Sequence, residues 1–159
     1  MTRIIRNLAV ALPLCAASLV AFAAPAATVK VSDCWIRSMP GDVPSGGYFK
    51  LMNTGDKPVD LDGVSTKAFG MAMLHQTQSN GSTSKMVMLD KVTVPAHAPL
   101  AFAPGGYHLM LEQPVKPLKV GSSIPMTFEF SDGARVDATC AVRNASGMAS
   151  MQGMSGMSN

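Results

Sequence analysis

Four residues at fixed spacings are the strongest chemical signal in this 159-residue chain. His75, Met86, His108 and Met110 follow the pattern His-x10-Met-x21-His-x-Met. Thioether sulfur has little affinity for hard ions such as magnesium or calcium, whereas sulfur together with imidazole favours monovalent copper. All four donors are neutral, and methionine binds a metal without losing a proton. The pattern therefore predicts a core Cu(I) site.

The alternation of side chains along a strand gives these spacings a geometric meaning, because residues two apart project to the same face. Three pairs of donors have this spacing: Met73 with His75, Met86 with Met88, and His108 with Met110. Asn80-Gly81 predicts a hairpin, since both residue types tolerate positive φ. That hairpin should bring His75 close to Met86, with the third pair arriving from elsewhere in the fold. Met73 and Met88 are predicted neighbours of the core site.

Residues 28–143 have the features of one all-β domain. Short apolar stretches alternate with Gly, Pro, Asn and Asp, and no helical periodicity is sustained. The predicted strands are 29–36, 47–52, 59–64, 71–77, 85–94, 100–102, 107–112, 124–130 and 134–142. Strands this short and closely spaced are typical of an antiparallel β-sandwich or barrel. Methionine in such a domain usually fills the core, which is the interpretation favoured for Met52 and Met126.

The first residues have the features of a cleaved export signal. Arg3 and Arg6 precede an apolar run over 8–22, and Ala21-Phe22-Ala23 forms an A-x-A cleavage site that ends a signal peptide at 1–23. A second such site places cleavage as late as residue 26. A membrane span needs about 20 apolar residues. This run is shorter, so no stable membrane insertion is expected after cleavage.

The net charge excludes one class of partner. Removing Arg3 and Arg6, with no acidic residue beside them, lowers the formal charge from +3 to about +1. The remaining chain has no cluster of Lys and Arg that could follow a phosphate backbone. Binding to nucleic acid is therefore not expected.

Export also bears on the cysteines. Cys15 lies inside the signal, which leaves Cys34 and Cys140 as an even pair in an oxidising compartment. A structural disulfide between the first and last strands is favoured, because the pair lacks C-x-x-C spacing. The alternative is a reduced pair that binds copper or acts in redox chemistry.

The last segment, 144–159, consists of Ser, Gly, Asn, Met and a few other small or polar residues. It lacks the branched and aromatic residues that build a core, and is predicted to be disordered. Its regularly spaced thioethers predict an auxiliary site for a second copper ion, with an inert end as the alternative. They are Met148, Met151, Met154 and Met157.

Residues around the donors resemble one known family, the periplasmic copper chaperones called PCuAC. The resemblance extends over about 29–142. It rests on Met73-Leu74-His75, Met86, the segment Pro104-Gly105-Gly106-Tyr107-His108-Leu109-Met110-Leu111, and on Asp33-Cys34-Trp35, Gly46-Gly47-Tyr48-Phe49 and Phe128-Glu129-Phe130-Ser131-Asp132-Gly133.

The resemblance implies a cupredoxin-like Greek-key β-sandwich in the periplasm that holds one Cu(I) on His75, Met86, His108 and Met110. It implies a carrier without enzymatic activity, which delivers copper to the CuA centre of cytochrome c oxidase, often alongside a Sco-type protein. A copper-buffering role and an electron-transfer cupredoxin are the alternatives. The latter needs a cysteine thiolate with histidine close behind it, and no histidine follows Cys140.

Overall fold

The computed structural model describes residues 27–41 and 43–144, and within them the chain forms ten strands and no helix. The strands are β1 (Val29–Ser38), β2 (Ser45–Asn53), β3 (Val59–Ser65), β4 (Phe69–Ser79), β5 (Ser84–Leu89), β6 (Val92–Val94), β7 (Pro99–Phe102), β8 (Tyr107–Pro114), β9 (Ser123–Phe130) and β10 (Arg135–Asn144). The all-β prediction is confirmed. The predicted signal peptide and the four tail methionines lie outside the described residues.

The strands form one sheet in the order β5-β4-β8-β7-β2-β1-β10-β9-β3-β6, and β8 also pairs directly with β2. Most pairings are antiparallel, as predicted, but β1 pairs with β10 in parallel and β7 meets β8 in parallel. Nine of the ten strands contribute buried side chains to one core cluster, so the sheet curls around a single interior. In the described part of the chain, no helix is long and apolar enough to cross a membrane.

The predicted strand 85–94 is wrong in one respect, because it is two strands. β5 pairs with β4 and β6 pairs with β3, at opposite ends of the sheet order. Leu89 packs against the core and has an odd residue number, whereas the buried Val92 and Val94 have even residue numbers. A one-residue change of phase turns side chains to the other face of a strand. The chain therefore breaks between the two segments.

A β-bulge causes a similar change of phase in β1. The pairing with β2 shifts between Ser32 and Trp35, and Asp33 has a φ of 50°. Before the bulge Val29 packs inward, and after it Ile36 does so with no exposed area. The extra residue therefore turns Trp35 to the outer face. This explains why the alternation along β1 is only partial in the sequence.

The same bulge turns Cys34 toward the core, where it forms a disulfide with Cys140. Their Cα atoms are 4.4 Å apart, and Cys140 is fully buried. The bond joins the parallel first and last strands across a sequence separation of 106 residues. Closing a loop of this length contributes about 2–4 kcal/mol to the free energy of unfolding.

Two methionines expected in the core differ in burial. Met126 is 2% exposed, as expected, but Met52 is 43% exposed and that expectation is wrong. Met52 is two residues from the exposed Lys50 on β2 and shares its outward face. Its sequence neighbours are apolar, and position along the strand, rather than residue type, decides its exposure.

Glycines in β2 allow this strand to lie close to its neighbours. A Cβ atom on Gly46 would lie 2.6 Å from Tyr48 Oη and 2.9 Å from Tyr48 Cζ. A Cβ on Gly47 would lie 3.0 Å from Leu109 Cβ on β8. Gly46 is also the register partner of Met110. Gly46 therefore allows the Tyr48 ring to lie over β2, and Gly47 allows β2 to lie close to β8, which carries two of the predicted metal ligands.

Substituting Gly46→Ala should lower the free energy of unfolding by about 1–3 kcal/mol, because a buried ring has to move. Tyr48 is 3% exposed and its ring lies 4.4 Å from that of Trp35, so it has no free space to enter. Urea denaturation measures the change. Gly63→Ala in β3 is the control, since a Cβ there meets nothing within 4 Å. Equal effects of the two substitutions would contradict this account.

Candidate metal centre

Three neighbouring strands, β5, β4 and β8, bring the predicted donors together. His75 on β4 is the register partner of Met88 on β5 and of His108 on β8. Two residues earlier on β4, Met73 is the register partner of Met110. Side chains of paired residues project to the same face of the sheet. These five residues, together with Met86, are called the donor patch below.

Met86 lies in the donor patch, but not directly opposite His75. The predicted hairpin is present: Asn80 N donates to Thr83 O at 3.2 Å, and Gly81 has a φ of 93°. Its loop covers residues 80–83, and this length sets a register in which Met86 faces Thr77. Met88 is therefore the direct partner of His75, and Met86 lies two residues away on the same face of β5.

His108 comes from the strand next to His75. The two ring centroids are 5.9 Å apart and the rings are inclined by 72°. His108 is 8% exposed, and its Nδ1 lies 3.0 Å from the carbonyl oxygen of Gly106. A carbonyl only accepts hydrogen bonds, so Nδ1 carries the proton and donates it. This tautomer leaves Nε2 with a free lone pair for a metal.

His75 has the most informative atom of the patch. Its Nδ1 is buried and has no hydrogen-bond partner in the described part of the chain. A buried polar atom left unpaired costs about 1–3 kcal/mol, so such an atom beside thioethers indicates a place for a ligand. Burial, and then the neighbouring His108, lower the pKa of His75, whereas Glu112 opposes the shift. The imidazole is therefore neutral at neutral pH, as metal binding requires.

The thioethers of β5 are open to solvent. Met86 is 57% exposed and Met88 is 63% exposed, while Met73, Met110 and His75 are half-buried. Among residues 27–41 and 43–144, no group of three or more His, Cys, Asp or Glu side chains could hold a metal ion. A metal ion bound at this face would consequently depend on sulfur, with His108 at the inner side and the β5 methionines at the outer side.

Sequence reasoning did not identify the surroundings of the patch. Arg37 of β1 and Tyr48 of β2 line a pocket of about 290 Å³ together with Met86 and His108. Neither residue has a spacing that signals metal binding, and the bulge in β1 determines on which face Arg37 lies. His97 is outside the site: its exposed ring contacts Asp56 at 2.9 Å.

A family model confirms the resemblance. The LpqE-like model, whose description is that of a lipoprotein, matches residues 29–142. The chain belongs to this family, the PCuAC family.

Relatives of the PCuAC chain agree with this assignment. It is 31% identical over 120 residues to a protein of Leifsonia xyli subsp. xyli that carries the name of a lipoprotein, Lxx21020, covering 75% of this chain and 72% of that protein. The copper-bound PCuAC domain from PmoF2 superposes with a TM-score of 0.63 at 25% identity, covering 74% of this chain and 94% of that domain. CuI-DR1885 from Deinococcus radiodurans gives a TM-score of 0.58 at 28% identity, covering 75% and 78%.

The lowered pKa of His75 predicts how stability of this PCuAC chain without metal depends on pH. Between the ordinary value of 6.5 and the lower folded value, the unfolded chain binds more protons than the folded chain. The free energy of unfolding should therefore fall as pH decreases through this window. Urea midpoints measured from about pH 7.5 to about pH 5 should show a smaller fall in His75→Gln. Met52→Leu, at an exposed site and without loss of a titratable group, should keep the wild-type fall; an unchanged fall in His75→Gln would contradict the assignment.

Proposed function

We propose that this chain is a Cu(I) carrier that passes copper to another protein by ligand exchange and catalyses no reaction. The observation that carries the proposal is the buried, unpartnered Nδ1 of His75 beside His108, whose own Nδ1 is fixed by Gly106. Both rings share a face with four thioethers. Copper is the cargo of this site, and His75, Met86, His108 and Met110 are its proposed ligands.

The chemistry of the donors supports Cu(I) as that cargo. Two imidazoles and two thioethers add no negative charge, and such soft neutral sets favour Cu(I) over Cu(II). The names of two structural neighbours describe copper-bound forms, one of them with CuI. Met73 and Met88 lie next to the proposed ligands in register. We assign them the role of neighbours that exchange with the core ligands during transfer.

Exposure of the β5 methionines supports transfer rather than permanent binding. Met86 is more than half exposed, so a thioether or thiolate from a recipient can approach the metal as Met86 leaves it. His108 is almost completely buried and held by its hydrogen bond. The inner ligand therefore retains the ion while the outer ligand is replaced.

Replacing Met86→Leu and His108→Gln together should abolish tight Cu(I) binding in a chelator-competition titration. Even groups that only support metal ligands contribute about 10- to 100-fold in affinity, so loss of two ligands should exceed that range. Met52→Leu is the control, because Met52 is 43% exposed but lies outside the donor patch. Unchanged affinity in the double variant would overturn the ligand assignment.

The tail methionines remain a proposal for a second copper location. Met148, Met151, Met154 and Met157 lie outside the described residues, but β10 ends at Asn144, one residue beyond Arg143. Arg143 is the register partner of Arg37, which lines the pocket beside Met86 and His108. Asn144 itself lines a separate pocket with Ser38 and Pro114, so the support for copper binding by the tail is the regular spacing of its thioethers. The stoichiometry of the same titration, one or two copper ions per chain, distinguishes a copper-binding tail from an inert one.

An electron-transfer cupredoxin is less well supported. That class needs a free cysteine thiolate next to its histidine ligands. In the described part of the chain, Cys34 and Cys140 are bonded to each other, and Cys140 is fully buried. The disulfide likewise argues against a copper-binding or redox dithiol.

We propose that segment 1–23 exports the chain to the periplasm and that the recipient is the CuA centre of cytochrome c oxidase, with a Sco-type protein as a further partner. Thioether ligands suit a carrier in an oxidising compartment, because they do not form disulfides there. Periplasmic copper buffering is the alternative with the same site.

Deleting the gene should lower cytochrome c oxidase activity under copper limitation, and added copper should restore it. Delivery becomes limiting only when copper is scarce, which is the physical reason for the conditional defect. Oxidase activity and growth in excess copper are measured in the same strain, complemented by wild type or by Met86→Leu/His108→Gln. Normal oxidase activity combined with copper sensitivity would assign buffering instead.

A further inference from the structure

A group of arginine and aromatic side chains lies on the outer face beside the donor patch. The Trp35 and Tyr48 ring centroids are 4.4 Å apart. Arg37 lies 5.7 Å from the Tyr48 centroid, and Arg143 lies 5.3 Å from the Trp35 centroid. Both distances are within the range of cation–π attraction. These four residues are called the arginine platform below.

The positive charge of the arginine platform has no ionic complement within the described residues. Arg37 and Arg143 are register partners in the parallel β1–β10 pair, so two cations stand side by side. Neither forms an ion pair there, and Arg37 Nε is buried without a hydrogen-bond partner. Cation–π contacts compensate only part of this cost, since a buried guanidinium nitrogen still lacks an acceptor.

Two carboxylates, those of Asp33 and Glu112, do not complement the charge of the arginine platform. Asp33 bonds Lys50 at 2.9 Å. Glu112 is the register partner of Met71. Along β8 it lies beyond Met110, whereas the pocket is at His108. No acidic residue lines the pocket that Arg37 shares with Met86 and His108. Within residues 27–41 and 43–144, no carboxylate lines the pocket to supply the acceptor that Arg37 lacks.

The position of the platform connects this charge with the metal site. Arg37 and Tyr48 line the same pocket as Met86 and His108. A carboxylate that binds Arg37 would bring its own chain against the exposed thioether. Arg143 and Trp35 extend the surface across β1 to β10, which is wider than a single small anion can cover.

We propose that the arginine platform docks an acidic peptide segment of the protein that exchanges copper with this chain, placing carboxylates on Arg37 and Arg143 and the copper ligands of the partner next to Met86. This inference rests on the proposed function and identifies the chemistry of the partner. Charge complementarity selects the occupant, and the partly exposed Trp35 ring contributes apolar contact area that an inorganic ion would not use.

The test uses the metal-free full chain and two fluorescent synthetic peptides that each contain Met and His, one with two flanking Asp residues and the other with Asn in their place. Fluorescence anisotropy should show about tenfold tighter binding of the Asp peptide, as expected for two partly buried charge pairs. Arg37→Gln and Arg143→Gln should each remove most of this preference. Arg135→Gln is the matched control, because Arg135 is on β10 but already pairs with Glu129 at 3.2 Å.

Equal binding of the two peptides by wild type, or an undiminished Asp preference in both platform variants, would overturn the proposal. Tighter binding to phosphatidylserine vesicles without a peptide preference would also overturn it.

Competition with a Cu(I) chelator on the same variants separates this proposal from the proposed function. Arg37 is not a proposed copper ligand, so the Arg37→Gln variant should keep the wild-type affinity for Cu(I). If wild type bound no Cu(I) but preferred the Asp peptide, the proposed function would fail and the docking surface would stand.

Discussion

The register between β4 and β8 is the constraint on which the site depends. Backbone hydrogen bonds set His75 opposite His108 and Met73 opposite Met110. A shift of one residue would turn the donors of one strand inward and its buried leucines outward. Leu74, Leu109 and Leu111 are each at most 4% exposed, so burial of the core penalises that shift strongly. The hydrophobic core and the donor patch are therefore fixed by the same pairing.

Much of this arrangement could be predicted from the sequence. Donor type indicated Cu(I), and the period of two along a strand placed Met73 with His75 and His108 with Met110 on common faces. The Asn80-Gly81 turn correctly joined β4 to β5. The shared faces and the hairpin were predicted correctly because each depends on local geometry, which residue type and spacing determine; Cu(I) stays a prediction from donor type. The family motif added the expectation of a PCuAC fold, which the comparisons confirmed.

Other features depend on long-range pairing that no local pattern encodes. The four-residue loop of the hairpin decided that Met88, rather than Met86, faces His75. The bulge in β1 decided that Trp35 and Arg37 lie on the outer face beside the donor patch. The change of phase between Leu89 and Val92 is visible in the sequence and could have revealed the broken strand. The parallel pairing of β1 with β10 has no comparable local signal.

The break after β5 has a kinetic consequence. In the described part of the chain β5 pairs only with β4, and β6 continues at the opposite end of the sheet order. An edge strand attached by one hairpin can separate from the sheet without disturbing the core, since local opening costs less free energy than global unfolding. Such opening would remove Met86 and Met88 together and leave both histidines in place. The dissociation rate of the metal would then be set by the fraying of one short strand, and substitutions in its loop could change that rate without altering any ligand.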